Sequence, residues 1–354
     1  MKTLLLGTAS AMVVAGGAQA ADLSLSVAEP VDYVRVCDAF GSGYWYIPGT
    51  DTCIAVSGKV KFETQIYSDD AEVAPDGEGE SSHYGRWVFQ TSADLNVEAK
   101  TQTDWGVLTA YVALTTDSDN TQYFDNNGPN ENDEDRVVYL DEAFIQIGPL
   151  TLGYLDSIFK VFGGYTDSDF NLSDNTVDQI QLSWALNGFG VHFGVEDPRD
   201  RWGSLETNDM PDLTAALTAE MGGIDLTLAA LYSDLISGDA WAVNGSAQFE
   251  AGMFEFGFAA MYADTNQGDG AGGMYVSDGW SVVASSKQNW QDNFWTALTY
   301  AYGDSDSGGD MWEAAFSAGW SPAGSLEFIA DVAINDDSDW QLNLIAELPF
   351  GPNG

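Results

Sequence analysis

CIAVSGKVKFETQIY, Cys53–Tyr67, alternates strictly between two chemistries. Ile54, Val56, Val60, Phe62 and Ile66 share one parity; Ser57, Lys59, Lys61, Glu63 and Gln65 share the other. Side chains of an extended strand point to opposite faces with a period of two, so this run has one greasy face and one charged face. A soluble sandwich would turn the charged face outward to water. Here the pattern returns along most of the chain, on segments about as long as the 9–11 residues that a tilted strand needs to cross a bilayer. The expectation is an all-β transmembrane barrel, with lipid against one face and water against the other.

Working outward, strand 2 is expected over about Tyr84–Lys100. Trp87, Phe89, Leu95 and Val97 face one way there, and Arg86, Gln90, Asp94, Asn96, Glu98 and Lys100 the other. A turn near Asp104-Trp105-Gly106 sends strand 3 back to about Thr116. Strands 4 and 5, about Val137–Ile147 and Leu150–Phe159, join at Gly148-Pro149, and their mixed alternation assigns no faces. In strand 6, Ile180, Leu182, Trp184 and Leu186 oppose Gln179, Gln181 and Ser183; in strand 7, Phe189, Val191, Phe193 and Val195 oppose His192 and Glu196. Asn187-Gly188 between them is a two-residue hairpin signal. Further strands at about 211–221, 222–233, 240–251, 252–264, 274–287, 291–303, 310–321, 324–335 and 338–350 bring the count to 16, in one closed antiparallel barrel over 53–350.

Connection lengths set the topology. Turns after strands 2, 4, 6, 8, 10 and 14 are short, whereas those after strands 1, 3, 5 and 7 are long, polar and acidic. Short turns on the periplasmic side and long loops outside are the expected asymmetry of outer-membrane barrels, and an even strand number puts both termini on the short-turn side. Tyr67, Trp87, Trp105, Tyr232, Trp280, Trp320 and Trp340 recur near strand ends, as aromatic girdles at two interfaces require.

The first 20 residues, MKTLLLGTASAMVVAGGAQA, read as a secretory leader cleaved after Ala20: Lys2 precedes an apolar run that ends in Ala18-Gln19-Ala20. Residues 21–52 are an exposed periplasmic lead-in, and 351–354 a short tail. Removing Lys2 leaves 10 Lys+Arg against 55 Asp+Glu, a balance that excludes a nucleic-acid binder. Disorder is excluded as well, because 45% of the residues are hydrophobic and 13% aromatic. In an exported chain the isolated pair Cys37 and Cys53 reads as a disulfide.

VCDAFGSGYWYIPGTDTCIAVSG, Val36–Gly58, resembles the N-terminal signature of the alphaproteobacterial general porins. The matching residues are Cys37, Asp38, Gly43, Tyr46, Ile47, Pro48, Gly49, Thr50, Asp51, Thr52, Cys53 and Gly58, with looser echoes at Thr101–Leu114 and Glu142–Phe159. The resemblance implies an outer-membrane homotrimer of 16-stranded barrels, each a passive channel for small hydrophilic solutes and ions. It also implies that the third external loop folds inward and narrows the barrel. In this chain that loop is Asp156–Val177, which carries Phe159, Val161, Phe162, Tyr165, Phe170 and Leu172 among its acids.

The candidate constriction pairs two groups. Lys59, Lys61 and Arg86 share the lumen face of strands 1 and 2, while Asp167, Asp169 and Asp174 lie on the inward loop and are expected to face them. The excess of acids implies a preference for cations. No catalytic constellation accompanies this: His83 and His192, the two histidines, lie on different elements, and neither sits beside a hydrolase serine motif. The chain is therefore read as no enzyme, without catalytic residues or a cofactor. Carboxylates in Ser68–Glu80 and Thr116–Asp135 suit divalent cations or a solvated acidic rim, and their spacing matches no complete ion loop. Two other functions stay open, a substrate-selective channel for solutes such as sugars and a structural or adhesive surface barrel.

Overall fold

The computed structural model describes residues 35–68, 87–118, 138–168, 170, 172–202, 210–235, 238–265, 274–306 and 308–352. Within them, sixteen antiparallel strands form the barrel. The first eight are β1 (Cys53–Tyr67), β2 (Trp87–Thr103), β3 (Gly106–Asp117), β4 (Val138–Ile147), β5 (Leu150–Asp156), β6 (Thr176–Leu186), β7 (Phe189–Glu196) and β8 (Asp212–Met221). The others are β9 (Ile224–Leu235), β10 (Gly238–Ala251), β11 (Phe254–Asp264), β12 (Asp278–Gln291), β13 (Phe294–Ser305), β14 (Gly309–Ala323), β15 (Leu326–Asn335) and β16 (Trp340–Phe350). Each pairs with its neighbour in sequence, and β16 closes on β1 in a register running from Gln341↔Tyr67 to Phe350↔Gly58. Gly58 lies where a Cβ would come within 2.2 Å of the Asp94 carbonyl oxygen of β2 and 2.6 Å of the Phe350 ring of β16, so a side chain there would strain the wall beside the closing seam.

Alternation decides what faces where. Val60, Phe62, Trp87, Phe89, Ile180, Leu182, Phe193, Phe328, Val332, Leu344 and Leu348 are exposed, while Glu63, Gln179, Glu196 and Asp331 on the opposite parity are buried. An apolar side chain of this size left in water forgoes about 1.5–3 kcal/mol, and an apolar surface running round the barrel far exceeds what a soluble monomer shows. The outward band is matched to lipid. Among the described residues no helix is long and apolar enough to cross a membrane, so the strands do the crossing.

The sequence expectations for strand ends hold to within a few residues, with two informative departures. β5 stops at Asp156, because the Ser157 N–H donates to the Asn175 carbonyl at 2.9 Å and the chain leaves the wall before Phe159. In β4 the pairing passes from Ala113↔Glu142 to Leu114↔Leu140, which leaves Asp141 as an extra residue. That bulge swaps parity, so Leu140 before it and Ile145 after it both face outward; this explains the mixed alternation read there. The hairpin signal at Asn187-Gly188 is realised with φ of 48° and 86°, the left-handed pair that a two-residue turn needs.

Below the rim, the two-residue strand Trp45–Tyr46 pairs with Ile54 and Cys53, and Cys37 is joined to Cys53. With a separation of 16 residues, this bond is worth about 3 kcal/mol on the loop-entropy view. The native protein should take up no alkylating reagent until it is reduced and two equivalents afterwards, and reduction should lower its melting point in detergent. Labelling without reductant would remove this bond from the account.

Candidate functional site

The inner face of the barrel changes character around its circumference. On β1 and β2 it is charged, with Lys59, Lys61 and Glu63 beside Asp94, Glu98 and Lys100. On β8–β14 it carries small apolar side chains among short polar ones, including Ala216, Ala229, Ala242, Ala259, Ala301 and Ala315. These pack against Phe159, Val161, Phe170 and Leu172 of the segment after β5, with Phe162 at the edge of the cluster. Phe159 and Leu172 are 0% exposed. The alanines leave the volume that the aromatic side chains fill.

The described part of this segment is hydrogen-bonded to one strand after another. Asn244 of β10 donates to the Phe159 carbonyl, and the ring of Phe162 lies over Gly257 of β11, where a Cβ would fall 2.2 Å away. Next, the Tyr165 N–H donates to Ser285 Oγ of β12 at 2.9 Å, and Thr166 Oγ1 donates to Thr299 Oγ1 of β13 at 2.8 Å. The Asp167 N–H donates to Ser317 Oγ of β14 at 2.9 Å, and Ser168 Oγ donates to Asp331 of β15. Every one of these strand residues belongs to the parity opposite the exposed apolar band. Two cross-links brace the segment as a hairpin, Val161 N–H to the Ser173 carbonyl at 3.4 Å and Phe170 N–H to the Gly163 carbonyl at 3.0 Å.

The base of the hairpin is held by Arg201, on the short helix α1 (Pro198–Trp202) that follows β7. Its guanidinium donates to Glu196 at 2.7 Å, to Ser157 Oγ at 2.8 Å and to Asn175 Oδ1 at 3.1 Å, and Asp212 Oδ2 lies 3.5 Å from Nε. The fork therefore joins both ends of the hairpin to β7 and β8. Arg201, Glu196 and Asp212 are all buried, a placement tolerated only because each charge is paired.

The six residues read from sequence as a constriction fall differently. Arg86 and Asp169 lie outside the described residues. Lys59 and Lys61 do share one wall, but each holds a carboxylate: Lys59 pairs with Glu347 at 3.2 Å and Lys61 with Glu63 at 2.9 Å. Asp174 does not face them; it pairs with Lys160 at 2.8 Å, as Asp156 does at 3.1 Å. Of the three hairpin acids, Asp167 is the described one whose field reaches Lys61. Partial loss of hydration at the tip pushes its carboxyl up to about 6; Lys61 opposes the rise, and Asp331, Glu63 and Glu347 add to it. The residue is exposed, so water screens part of this rise.

Sequence reasoning left out Glu347 and Asp331. Glu347 becomes a partner of the lysines only through the closing register, in which it stands opposite Lys61. Asp331 is bonded by Ser317, its register partner on the preceding strand, and by Ser168, which comes from an element far away in the chain. His192 is an inner-wall residue, its Nδ1 2.9 Å from Ser183 Oγ. Among the described residues no cluster of metal-ligating side chains occurs, and most of the two acidic stretches lie outside them.

Residues 24–341 match the family described as "Porin subfamily". The chain is 32% identical over 311 residues to Porin Omp2b of Brucella canis, covering 81% of this chain and 82% of that protein. It is 31% identical to Porin Omp2b of Brucella melitensis over the same shares. Among solved structures, the outer membrane channel DcaP of Acinetobacter baumannii superposes with a TM-score of 0.66 at 14% identity, over 86% of this chain and 99% of that one. Salmonella typhi OmpF, solved in complex with daunomycin, gives 0.59 at 11% identity over the same shares.

Proposed function

The chain belongs to the porin subfamily of bacterial outer-membrane barrels, and from that premise we infer that it is a general diffusion channel that favours cations. A porin is a passive pore and no enzyme. The observation that carries the reading is the closed 16-stranded ring with a polar, charged inner face, since a barrel of that size leaves an aqueous lumen. The hairpin after β5 is taken as the element that narrows the lumen: its bonds to the inner parity of β10–β15 support this, as does the water-exposed Asp167 at its tip. The open lane would then run along β1 and β2. Reconstituted liposomes should swell in solutes of graded size at rates that fall steadily with size and do not saturate. Saturation by one solute class would indicate a substrate-selective channel, and no swelling would indicate a plugged structural barrel.

Assembly is inferred to be a homotrimer, as the family resemblance implies, with the apolar outer faces beside β1 and β16 offering packing surface. Cross-linking in mild detergent should give a ladder ending at three chains. A monomer at every concentration would count against it.

A further inference from the structure

The segment ahead of β1 does more than fasten the N-terminus. Cys53, Ala55, Ser57 and Lys59 share the inner parity of β1, so the bond from Cys53 draws Cys37 toward the lumen side of the wall. Residues 35–46 form a small hairpin, with the Cys37 N–H donating to the Tyr44 carbonyl at 2.9 Å and the Tyr46 N–H to the Arg35 carbonyl at 2.8 Å. The hairpin occupies the stretch of β1 edge that β16 leaves unpaired, because β16 ends opposite Gly58 while β1 begins at Cys53.

Tyr44 then reaches across the inside. Its ring is buried with Cys37, Cys53 and Ala55, and its hydroxyl donates to Glu98 and accepts from Lys100 Nζ at 3.0 Å. Glu98 and Lys100 are inner residues of β2, so the side chain spans the inner face of β1 over the small Ala55. The hairpin's own turn stands away from the wall. A cavity of about 660 Å³ separates Phe40, Gly41 and Ser42 from Lys59, Asp94 and Tyr111. The turn and the inner wall thus line opposite sides of one gap, and Gly43 of the turn packs against Pro352 after β16, so the turn stands over the inner face at this end of the barrel.

We propose that the disulfide-clasped hairpin 35–46 is a second narrowing of the channel, at the end where the chain termini lie, in series with the hairpin after β5 and held in place by Tyr44. This rests on the channel reading. Tyr44 is a positioning residue: its bonds to Glu98 and Lys100 fix the hairpin over the mouth, and the clasp prevents it from swinging out. A solute arriving from the terminal side would meet this narrowing first, so it would set a size limit from that side alone.

The test is unitary conductance in planar bilayers, with polyethylene glycols of graded size added to one side at a time. Tyr44→Phe removes the hydroxyl bonds, Tyr44→Ala removes the ring, and tris(2-carboxyethyl)phosphine added to the folded, inserted channel opens the clasp without refolding. Because narrowings in series add their resistances, Tyr44→Ala or reduction should raise conductance roughly 1.2-fold or more, with Tyr44→Phe between. The largest polymer able to enter from the terminal side should increase, while entry from the opposite side stays the same. Unchanged conductance and an unchanged cut-off, in channels that still conduct, would overturn the proposal and leave the hairpin as rim packing. An unmodified protein that does not conduct would instead overturn the channel reading beneath it.

Discussion

Replacing Arg201 with methionine should free the hairpin after β5 from its base. The guanidinium is the buried cation between Glu196 and Asp212, and it also bonds Ser157 and Asn175, the two residues at which the hairpin leaves and rejoins the wall. Removing one member of a buried ion pair typically costs about 3–5 kcal/mol, because the remaining carboxylates keep their desolvation without a counter-charge. The barrel's strand ladders do not depend on this contact, so the loss should be local. Amides of 157–175 should exchange with solvent faster, and the open channel should become noisier at constant voltage. Arg201→Lys would keep a positive charge but lose the fork that reaches four partners, and should fall between the two. Unaltered exchange in Arg201→Met would show that the alanine-lined apolar contact alone seats the hairpin.

That apolar contact was present in the sequence and easy to pass over. Periodicity found the sixteen strands because the lipid-facing parity is apolar almost everywhere, and one greasy parity is enough to count strands. The inner parity carries the functional information, and it was read only where it is polar or charged. On β8–β14 it holds Ala216, Ala229, Ala242, Ala259, Ala301 and Ala315. A water-filled lumen gives no reason for an apolar inner face, so those alanines were a sequence signal that something packs there. What occupies that face is set by the tertiary structure: the stepwise bonds from Phe159 to Ser168 depend on six strands spread over nearly a hundred residues. The bulge at Asp141 was hidden for a different reason, since one extra residue shifts parity and resembles a weak pattern. The lysine partners stayed out of reach because Glu347 meets Lys59 and Lys61 only after the barrel closes.

Neutralising Lys59 and Lys61 together should shift ionic selectivity most. Read from sequence, the pair formed a basic lane opposite an acidic loop. In the folded chain they neutralise Glu347 and Glu63, so the wall has little net charge and offers anions no lane of their own. Lys59→Gln with Lys61→Gln would leave those carboxylates uncompensated and add two negative charges to the open side. A unit charge about 6 Å from a permeating ion in water is worth roughly 0.7 kcal/mol, so two would favour a cation in the lane about tenfold and disfavour an anion by about the same factor at low salt. Asp167→Asn works in the opposite sense: with one charge, the cation's advantage should fall roughly threefold and the anion's handicap should ease by about the same factor. Asp174→Asn should do less, because it removes a charge at the base of the hairpin and leaves Lys160 paired with Asp156. Acid should mimic Asp167→Asn. Asp167 is pushed up toward about 6, and below its titration range it is neutral while Lys61 stays charged, so cation preference should decline as pH falls from 7 toward 4. The pH dependence should be smaller in Asp167→Asn, which lacks this titrating group. Every effect should shrink as salt rises and the screening length drops below about 8 Å. Reversal potentials under a salt gradient measure all of these. Anion preference in the unmodified channel, or a lysine double variant no more cation-selective than its parent, would mean that these side chains do not line the ion path.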